Sequence, residues 1–152
     1  MVNPIPEDYP RVIPDLSVDS AADAIAFYAT VLGATERMRM AGPDGRIVHC
    51  ELEIGTAVVM LADTFPDMDG KSPKDIGGTP VTLMVYVEDV DATFQAALDN
   101  GATAMRKVED QFYGDRSGQF EDPFGHVWFV ASHVEDIAPD EMEKRAAAAM
   151  GA

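Results

Sequence analysis

The sequence predicts an α+β protein made of two β-α-β-β-β modules followed by a C-terminal helix. Three observations carry this reading. Two stretches show helical apolar periodicity, each is closed by the same Gly-Ala-Thr triplet, and strand-like alternation follows each triplet. The two triplets, Gly33–Thr35 and Gly101–Thr103, lie 68 residues apart, which is the mark of an internal repeat.

In chain order, "VIPDLSV" is a short extended run. "DSAADAIAFYATVLG" is a helix, because Ala24, Phe27, Tyr28, Val31 and Leu32 recur on one face of a 3.6-residue period. Asp19 is placed to cap its start and Gly33 to end it. Strands follow at about Thr35–Met40, Arg46–Ile54 and Ala57–Ala62, with turns at "GPDG" and Gly55. Asp63–Pro80 is long for a connection and reads as a linker or a loop over a site.

The second module repeats the scheme. "VTLMVYV" is extended, and "EDVDATFQAALDNG" carries the stripe Val90, Phe94, Ala97 and Leu98, with Asp89 as cap and Gly101 as stop. Strands are expected at about Thr103–Val108, Gly118–Glu121 and His126–Ser132. "APDEMEKRAAAAM" is a helix, with Pro139 in its first turn and acids ahead of Lys144 and Arg145. The expected boundaries within a single domain of 152 residues are therefore 11–62 for module one, 63–80 for the linker, 81–133 for module two and 138–150 for the last helix.

Composition bounds the function. A formal net charge of −16 repels phosphate backbones and anionic lipid, so nucleic acid and membrane surfaces are excluded as partners. No apolar run approaches the roughly 18 residues of a membrane span. "MVNPIPEDYP" lacks a basic end followed by an apolar block, so no secretory signal is expected and a cytoplasmic location is. The single cysteine, Cys50, lies within an apolar strand pattern and reads as a buried, inert thiol. No Ser-His-Asp spacing, phosphate-binding loop or dinucleotide fingerprint appears.

The strings "FYATVLGA", "GRIVHCELEIGTAVVMLAD", "VEDVDATFQAALDNGAT" and "YGDRSGQFEDPFGHVWFVASHVEDI", in two repeated modules, resemble the vicinal oxygen chelate superfamily. The last string is similar to its PhnB-like, glyoxalase/bleomycin-resistance-like branch. The resemblance spans about Val12 to Ile137. It implies that each module curls its mixed sheet into half a cup with the helix outside, in the glyoxalase/bleomycin-resistance fold. It also implies that metal-dependent relatives place His or Glu on the first and last strand of each module. Carried over by position, those sites are Ile13, Met60, Thr82 and Phe129. Isoleucine and phenylalanine have no donor atom, methionine sulfur is soft, and threonine is a weak neutral ligand. The expectation is no metal and no other cofactor.

Three histidines remain. His126 sits at a turn, His133 is expected to be exposed beyond the last strand, and the odd separation of the two puts them on opposite faces. In "RIVHCELEI", Val48, Cys50, Leu52 and Ile54 alternate with Ile47, His49, Glu51 and Glu53. If the apolar set packs on the helix, His49 and Glu51 face the cup. The pair is a general acid/base candidate or a polar floor for a ligand. Period-two counting adds Asp15 and Ser17 beside Ile13, Met84 and Tyr86 beside Thr82, and Val127 and Ala131 beside Phe129. Phe112 and Tyr113 lie in a loop over the second half. Tyr113–His133 reads as a hairpin whose Asp122 and Gly125 serve the turn, whose Arg116 pairs with Asp115, Glu121 or a neighbouring acid, and whose Tyr113, Phe120 and Phe129 are ligand-contact candidates.

The leading functional reading is a metal-free, homodimeric small-molecule binding protein that acts by sequestration or delivery. A neutral or cationic ligand is favoured, because Arg11, Arg46 and Arg116 fall off the cup face by this counting. The alternative is a metal-independent enzyme with His49 and Glu51 as acid and base. A metal-dependent lyase or dioxygenase comes third.

Overall fold

The computed structural model describes residues 1–151. The chain divides into two compact units, the first ending at Thr79. Unit one contains β1 (Asp15–Val18), α1 (Ala21–Leu32), β2 (Thr35–Ala41), β3 (Ile47–Ile54), β4 (Ala57–Asp63) and the short α2 (Pro73–Ile76). Its sheet order is β1-β4-β3-β2, with β1 parallel to β4 and the other pairs antiparallel. Unit two contains β5 (Thr82–Tyr86), α3 (Val90–Asp99), β6 (Thr103–Asp110), β7 (Asp115–Glu121), β8 (Val127–His133) and α4 (Pro139–Ala149). Its order, β5-β8-β7-β6, repeats that of unit one, again with one parallel pair. Two mixed four-stranded sheets with helices and a C-terminal helix are the α+β architecture expected from the repeat.

In unit one the apolar stripe of α1 buries Ala21, Ala24, Ile25, Phe27, Tyr28 and Val31. The buried core also takes in Leu16 and Val18 from β1, Cys50 and Leu52 from β3, and Val59 and Leu61 from β4. The helix ends at Gly33, whose φ of 67° is left-handed and whose N–H reaches the Tyr28 carbonyl. Its start differs from expectation. Asp19 does not cap it but pairs with Lys74 at 3.1 Å. The cap comes from across the sheet, where Asp63 Oδ1 accepts the Ala21 N–H at 2.7 Å and its Oδ2 accepts the Ile47 N–H at 2.8 Å. One carboxylate thus ties the helix start to the first residue of β3. Burial pushes the Cys50 thiol up to about 11, which keeps it inert.

The alternation in β3 is broken at its first turn. Ile47 opposes Ala41 and His49 opposes Met40, so Val48 sits in a bulge. Ile47 is therefore buried and Val48 exposed, the reverse of strict period two. From His49 onward the expected alternation holds, with Cys50 and Leu52 in the core. The segment after β4 is not structureless. Ser72 and Asp75 form a reciprocal capping box that starts α2.

In unit two Asp89 accepts the Ala92 N–H at 3.1 Å and caps α3 as expected. Val90, Phe94 and Ala97 are buried. Phe94 meets Phe120 edge-on at 6.3 Å, so Phe120 is a fully buried core residue on the helix side and not a ligand contact. β7 begins at Asp115, three residues before the expected Gly118, because the ladder with β8 runs from Asp115–His133 to Glu121–Val127. Arg116 faces the helix too. Its guanidinium forks onto Asp91 at 2.8 and 2.9 Å and reaches Asp110 at 3.2 Å, instead of pairing with Asp115 or Glu121. Asp122 does serve the turn: it accepts the N–H groups of Phe124 and His126, and Trp128 Nε1–H as well, while almost fully buried. No residue of α4 is buried. The helix is held through Arg145, which forks onto Glu135 at 2.8 and 2.9 Å and donates to the Phe112 carbonyl at 3.3 Å.

Gly118 lies under Phe94 of α3 with no room for a side chain. A Cβ there would lie 2.9 Å from Val108 Cγ2, 3.1 Å from Phe94 Cε2 and 3.2 Å from the Arg106 carbonyl. Gly118→Ala is therefore expected to destabilise the protein by about 1–3 kcal/mol through overpacking. Urea unfolding checks this; an unchanged midpoint would mean that α3 shifts freely.

Candidate functional site

The face of each sheet away from its long helix carries the chemistry. In unit one the register aligns Asp15, Met60, Glu51 and Met38 across all four strands, and Met40 lies opposite His49. A cavity of about 500 Å³ opens on this face. Ile13, Met60 and Glu51 form its sheet side, and Ile5, Tyr9, Arg11 and three prolines from the N-terminal strap form the rest. Glu51 is 5% exposed. Its oxygens accept Tyr9 Oη–H at 2.7 Å and His49 Nε2–H at 2.8 Å. Those two hydrogen bonds, from His49 first and then Tyr9, outweigh burial and hold the carboxyl below the usual range, so it is ionised at neutral pH. A carboxylate only accepts, so His49 Nε2 carries a proton and Nδ1 is left to face other groups. Tyr9 is held by Arg37, whose guanidinium lies 4.6 Å from the ring centroid and donates to the Asp8 carbonyl. The hydrogen bond that Tyr9 donates to the Glu51 carboxylate raises its phenol above the ordinary value.

Of the residues expected to meet in unit one, Ile13, Glu51 and Met60 line one cavity and His49 touches Glu51. Asp15 shares their row but is exposed outside the cavity lining. Arg11 corrects the sequence reading, because it lines the cavity that was expected to have no basic residue. Tyr9 was not anticipated. It lies 42 residues from Glu51 in a proline-rich lead-in with no periodicity to give its direction.

In unit two Thr82, Met84 and Tyr86 all point from β5 to the exposed face, and Met84 aligns with Phe129. Phe112 and Tyr113 stand edge-to-face at 5.2 Å. Tyr86 Oη donates to Asp115 Oδ2 at 2.7 Å. His133 Nδ1 meets Asp115 Oδ1 at 2.9 Å and its Nε2 meets Asp136 Oδ1 at 2.8 Å. With a carboxylate oxygen at each ring nitrogen, the imidazolium is the form that satisfies both contacts at once. The hydrogen bond to Asp115, then the one to Asp136, raises the His133 pKa above its ordinary value. His133 is exposed as expected, but it is the last residue of β8 and its ring is tied at both ends. It has the parity of Phe129 and Ala131, so period-two counting carried two residues further would have placed it on this face.

A larger depression of about 820 Å³ lies at the start of α1, between Asp19, Asp44, Arg46, Asp63, Lys71 and Asp75. Its helix N-terminus is already satisfied by Asp63, and its charges are paired or solvated. The smaller cavity holds the buried ionised group, so we place the site there.

The four positions that the resemblance implies for metal ligands hold Ile13, Met60, Thr82 and Phe129. This donor set does not fit a divalent ion. Among the described residues no group of three or more His, Cys, Asp or Glu side chains is arranged to hold a metal. No helix among them is long and apolar enough to cross a membrane.

Comparison with known proteins agrees with this architecture. Over 137 residues, 88% of the chain, it is 47% identical to an uncharacterized protein of Mycobacterium bovis, covering 90% of that protein, and to one of Mycobacterium tuberculosis, covering 81%. Among solved structures, TioX from Micromonospora sp. superposes with a TM-score of 0.64 at 25% identity, covering 82% of this chain and 99% of TioX. The PhnB protein from Bacillus cereus gives 0.66 at 13% identity, covering 81% and 99%, and shares the fold. The model of the Glyoxalase/Bleomycin resistance protein/Dioxygenase superfamily matches residues 12–130, and the chain belongs to that superfamily.

Proposed function

We propose that the protein binds a small molecule without a metal and acts by sequestration or delivery, in the manner of bleomycin-resistance proteins. The observation that carries this reading is the cavity of about 500 Å³ on the open face of unit one, lined by Ile13 and Met60 where relatives carry metal ligands, with a buried ionised Glu51 among them. An apolar cavity with one or two placed polar groups is the usual make-up of a ligand site. Met38, Met40 and Met60 extend the apolar face with soft, adaptable side chains.

The ligand is neutral or cationic and partly aromatic. Glu51 is an anion desolvated on one side, and its two side-chain donors leave it with negative charge that a cation offsets. Arg11 tempers this preference without reversing it, because it is exposed at the strap while Glu51 is buried. The Glu51 carboxyl sits below the usual range. The folded-state stabilisation of its charge is therefore present at neutral pH and lost only as pH falls through that depressed value. Homodimerisation is part of the proposal, since each open four-stranded sheet leaves edge strands.

A second reading rests on the 2.8 Å His49–Glu51 contact. Glu51 orients the ring and His49 Nδ1 acts as a general base in a metal-independent enzyme. Turnover abolished by His49→Ala, with the fold intact, would favour it over simple binding.

Three outcomes are expected. Cationic aromatic compounds raise the melting temperature, the effect weakens with salt, and Glu51→Gln cuts affinity by about tenfold or more. Stabilisation only by anionic compounds, unchanged by Glu51→Gln, would overturn the ligand class. Elemental analysis of protein purified without chelator finds no stoichiometric Zn, Ni, Fe or Mn; one ion per chain would sink the metal-free reading. Sedimentation at micromolar concentration gives twice the 16.4 kDa chain mass, and a clean monomer would count against the dimer.

A further inference from the structure

Unit two repeats the polar arrangement of unit one with different residues from different strand positions. In both, a carboxylate on the third strand is about 95% buried and accepts one tyrosine hydroxyl and one histidine N–H. Glu51 has Tyr9 and His49; Asp115 has Tyr86 and His133. Tyr86 is 60% exposed, although its hydroxyl reaches a buried oxygen. It stands on β5 and Asp115 on β7, so its ring crosses β8, over the fully buried Ala131 with which it is aligned.

A second observation lies one step along the same strand. Ser117 is opposite Ala131 and shares the face of Asp115, because Arg116 and Gly118 turn to α3. Ser117 is 1% exposed, and its Oγ has no hydrogen-bond partner among the described residues. A buried hydroxyl without a partner costs folding free energy, and it becomes an asset when a bound molecule supplies the partner. Met84 and Phe129 stand on the same face of the neighbouring strands, and Phe112 and Tyr113 pack on each other in the β6–β7 loop, so the apolar and aromatic rim is drawn from these side chains.

We propose that this face of unit two is a second binding site, for an amidinium or guanidinium on an apolar or aromatic body, and that it opens when His133 loses its extra proton. The cation forks onto the two Asp115 oxygens in place of Tyr86 Oη and His133 Nδ1, and the body of the ligand packs on the rim with a polar atom on Ser117 Oγ. While His133 is an imidazolium, it already neutralises Asp115 and repels the ligand. Loss of that proton removes the cation and breaks one of its two carboxylate bonds.

The sign of the pH dependence follows from the groups around the ring. Asp115 from β7 and Asp136 from the following loop both hold the proton on His133. Tyr86 from β5 has its phenol raised above the ordinary value by the hydrogen bond to Asp115 and adds no charge, and Tyr113 stands in the β6–β7 loop. Glu135 is taken by Arg145 of α4, and Arg116 is turned to Asp91 and Asp110 on the other face. Glu109 of β6, aligned with Ser117, is paired with Lys107. Affinity for a permanent cation therefore rises as pH passes upward through the raised His133 pKa.

The test is a benzamidinium titration followed in amide NMR spectra at one pH within the ordinary histidine range and at one well above it, since the His133 pKa is raised. The expected result is a shift of the Asp115, Ser117 and His133 resonances that saturates at roughly tenfold lower ligand at the higher pH. Asp115→Asn removes these shifts and leaves those around Glu51, and Glu51→Gln does the reverse, so failure of one site is distinguishable from failure of the other. Tyr86→Phe tightens binding by removing the competing hydroxyl, and it serves as the variant should Asp115→Asn fail to fold. His133→Gln flattens the pH dependence. Absence of shifts in unit two at either pH, affinity that falls with pH, or Tyr86→Phe weakening binding would each overturn the proposal.

Discussion

Each four-stranded sheet has two faces and one long helix to cover one of them. This shortage organises the molecule. On the helix side the physics is ordinary burial: Phe27, Tyr28 and Val31 of α1 and Phe94 and Ala97 of α3 are buried and pack with aliphatic strand residues. On the other face no helix of the same unit excludes water, so the side chains there must be stable at a partly exposed surface. Methionine, tyrosine and phenylalanine suit that position, because they offer apolar area and adaptable or polar ends.

Carboxylates set deep in such a structure need donors, and the chain supplies them in two ways. Asp63 and Asp122 take backbone N–H groups, of Ala21 and Ile47 in one case and of Phe124 and His126 in the other. Those donors cannot move without unfolding a helix start or a hairpin. Glu51 and Asp115 take tyrosine and histidine side chains instead. Side-chain donors rotate away for the cost of a few torsions and a hydrogen bond of about 1 kcal/mol net. The first pair are structural joints. The second pair are anions with removable covers, and both lie on the open faces.

The repeat, the two helices and most strands were legible because they depend on local periodicity and on the two Gly-Ala-Thr stops. The departures have non-local causes. The cap of α1 comes from Asp63, and a carboxylate arriving from another strand leaves no local pattern, whereas the local cap at Asp89 was read correctly. The exchange of Ile47 and Val48 follows from a bulge, which breaks parity without a glycine to announce it. Ile13 and Met60 are positions that the resemblance implies, and His49 and Glu51 follow from the alternation of β3. Tyr9 was not legible, since a strap without regular structure gives no direction to its side chains. His133 was within reach of counting and was set aside because its strand was drawn one residue too short.

The two open faces use the same three residue types to different electrostatic ends. His49 gives one nitrogen to Glu51, so the carboxylate keeps its charge and the first face is anionic wherever Glu51 is ionised. His133 gives both nitrogens to carboxylates and holds a proton in consequence, so Asp115 is matched by a cation of the protein's own. In a chain of net charge −16 this difference is not a matter of the general field, which favours cations at both faces alike. It is set first by the hydrogen bond between His133 and Asp115 and then by a second acceptor, Asp136, at 2.8 Å from the other ring nitrogen. Without Asp136 the ring would keep only its bond to Asp115, the same single contact that His49 makes with Glu51. Asp136 is solvent-exposed and lies beyond the last strand, so part of what holds the proton on His133 comes from outside the sheet that forms the face.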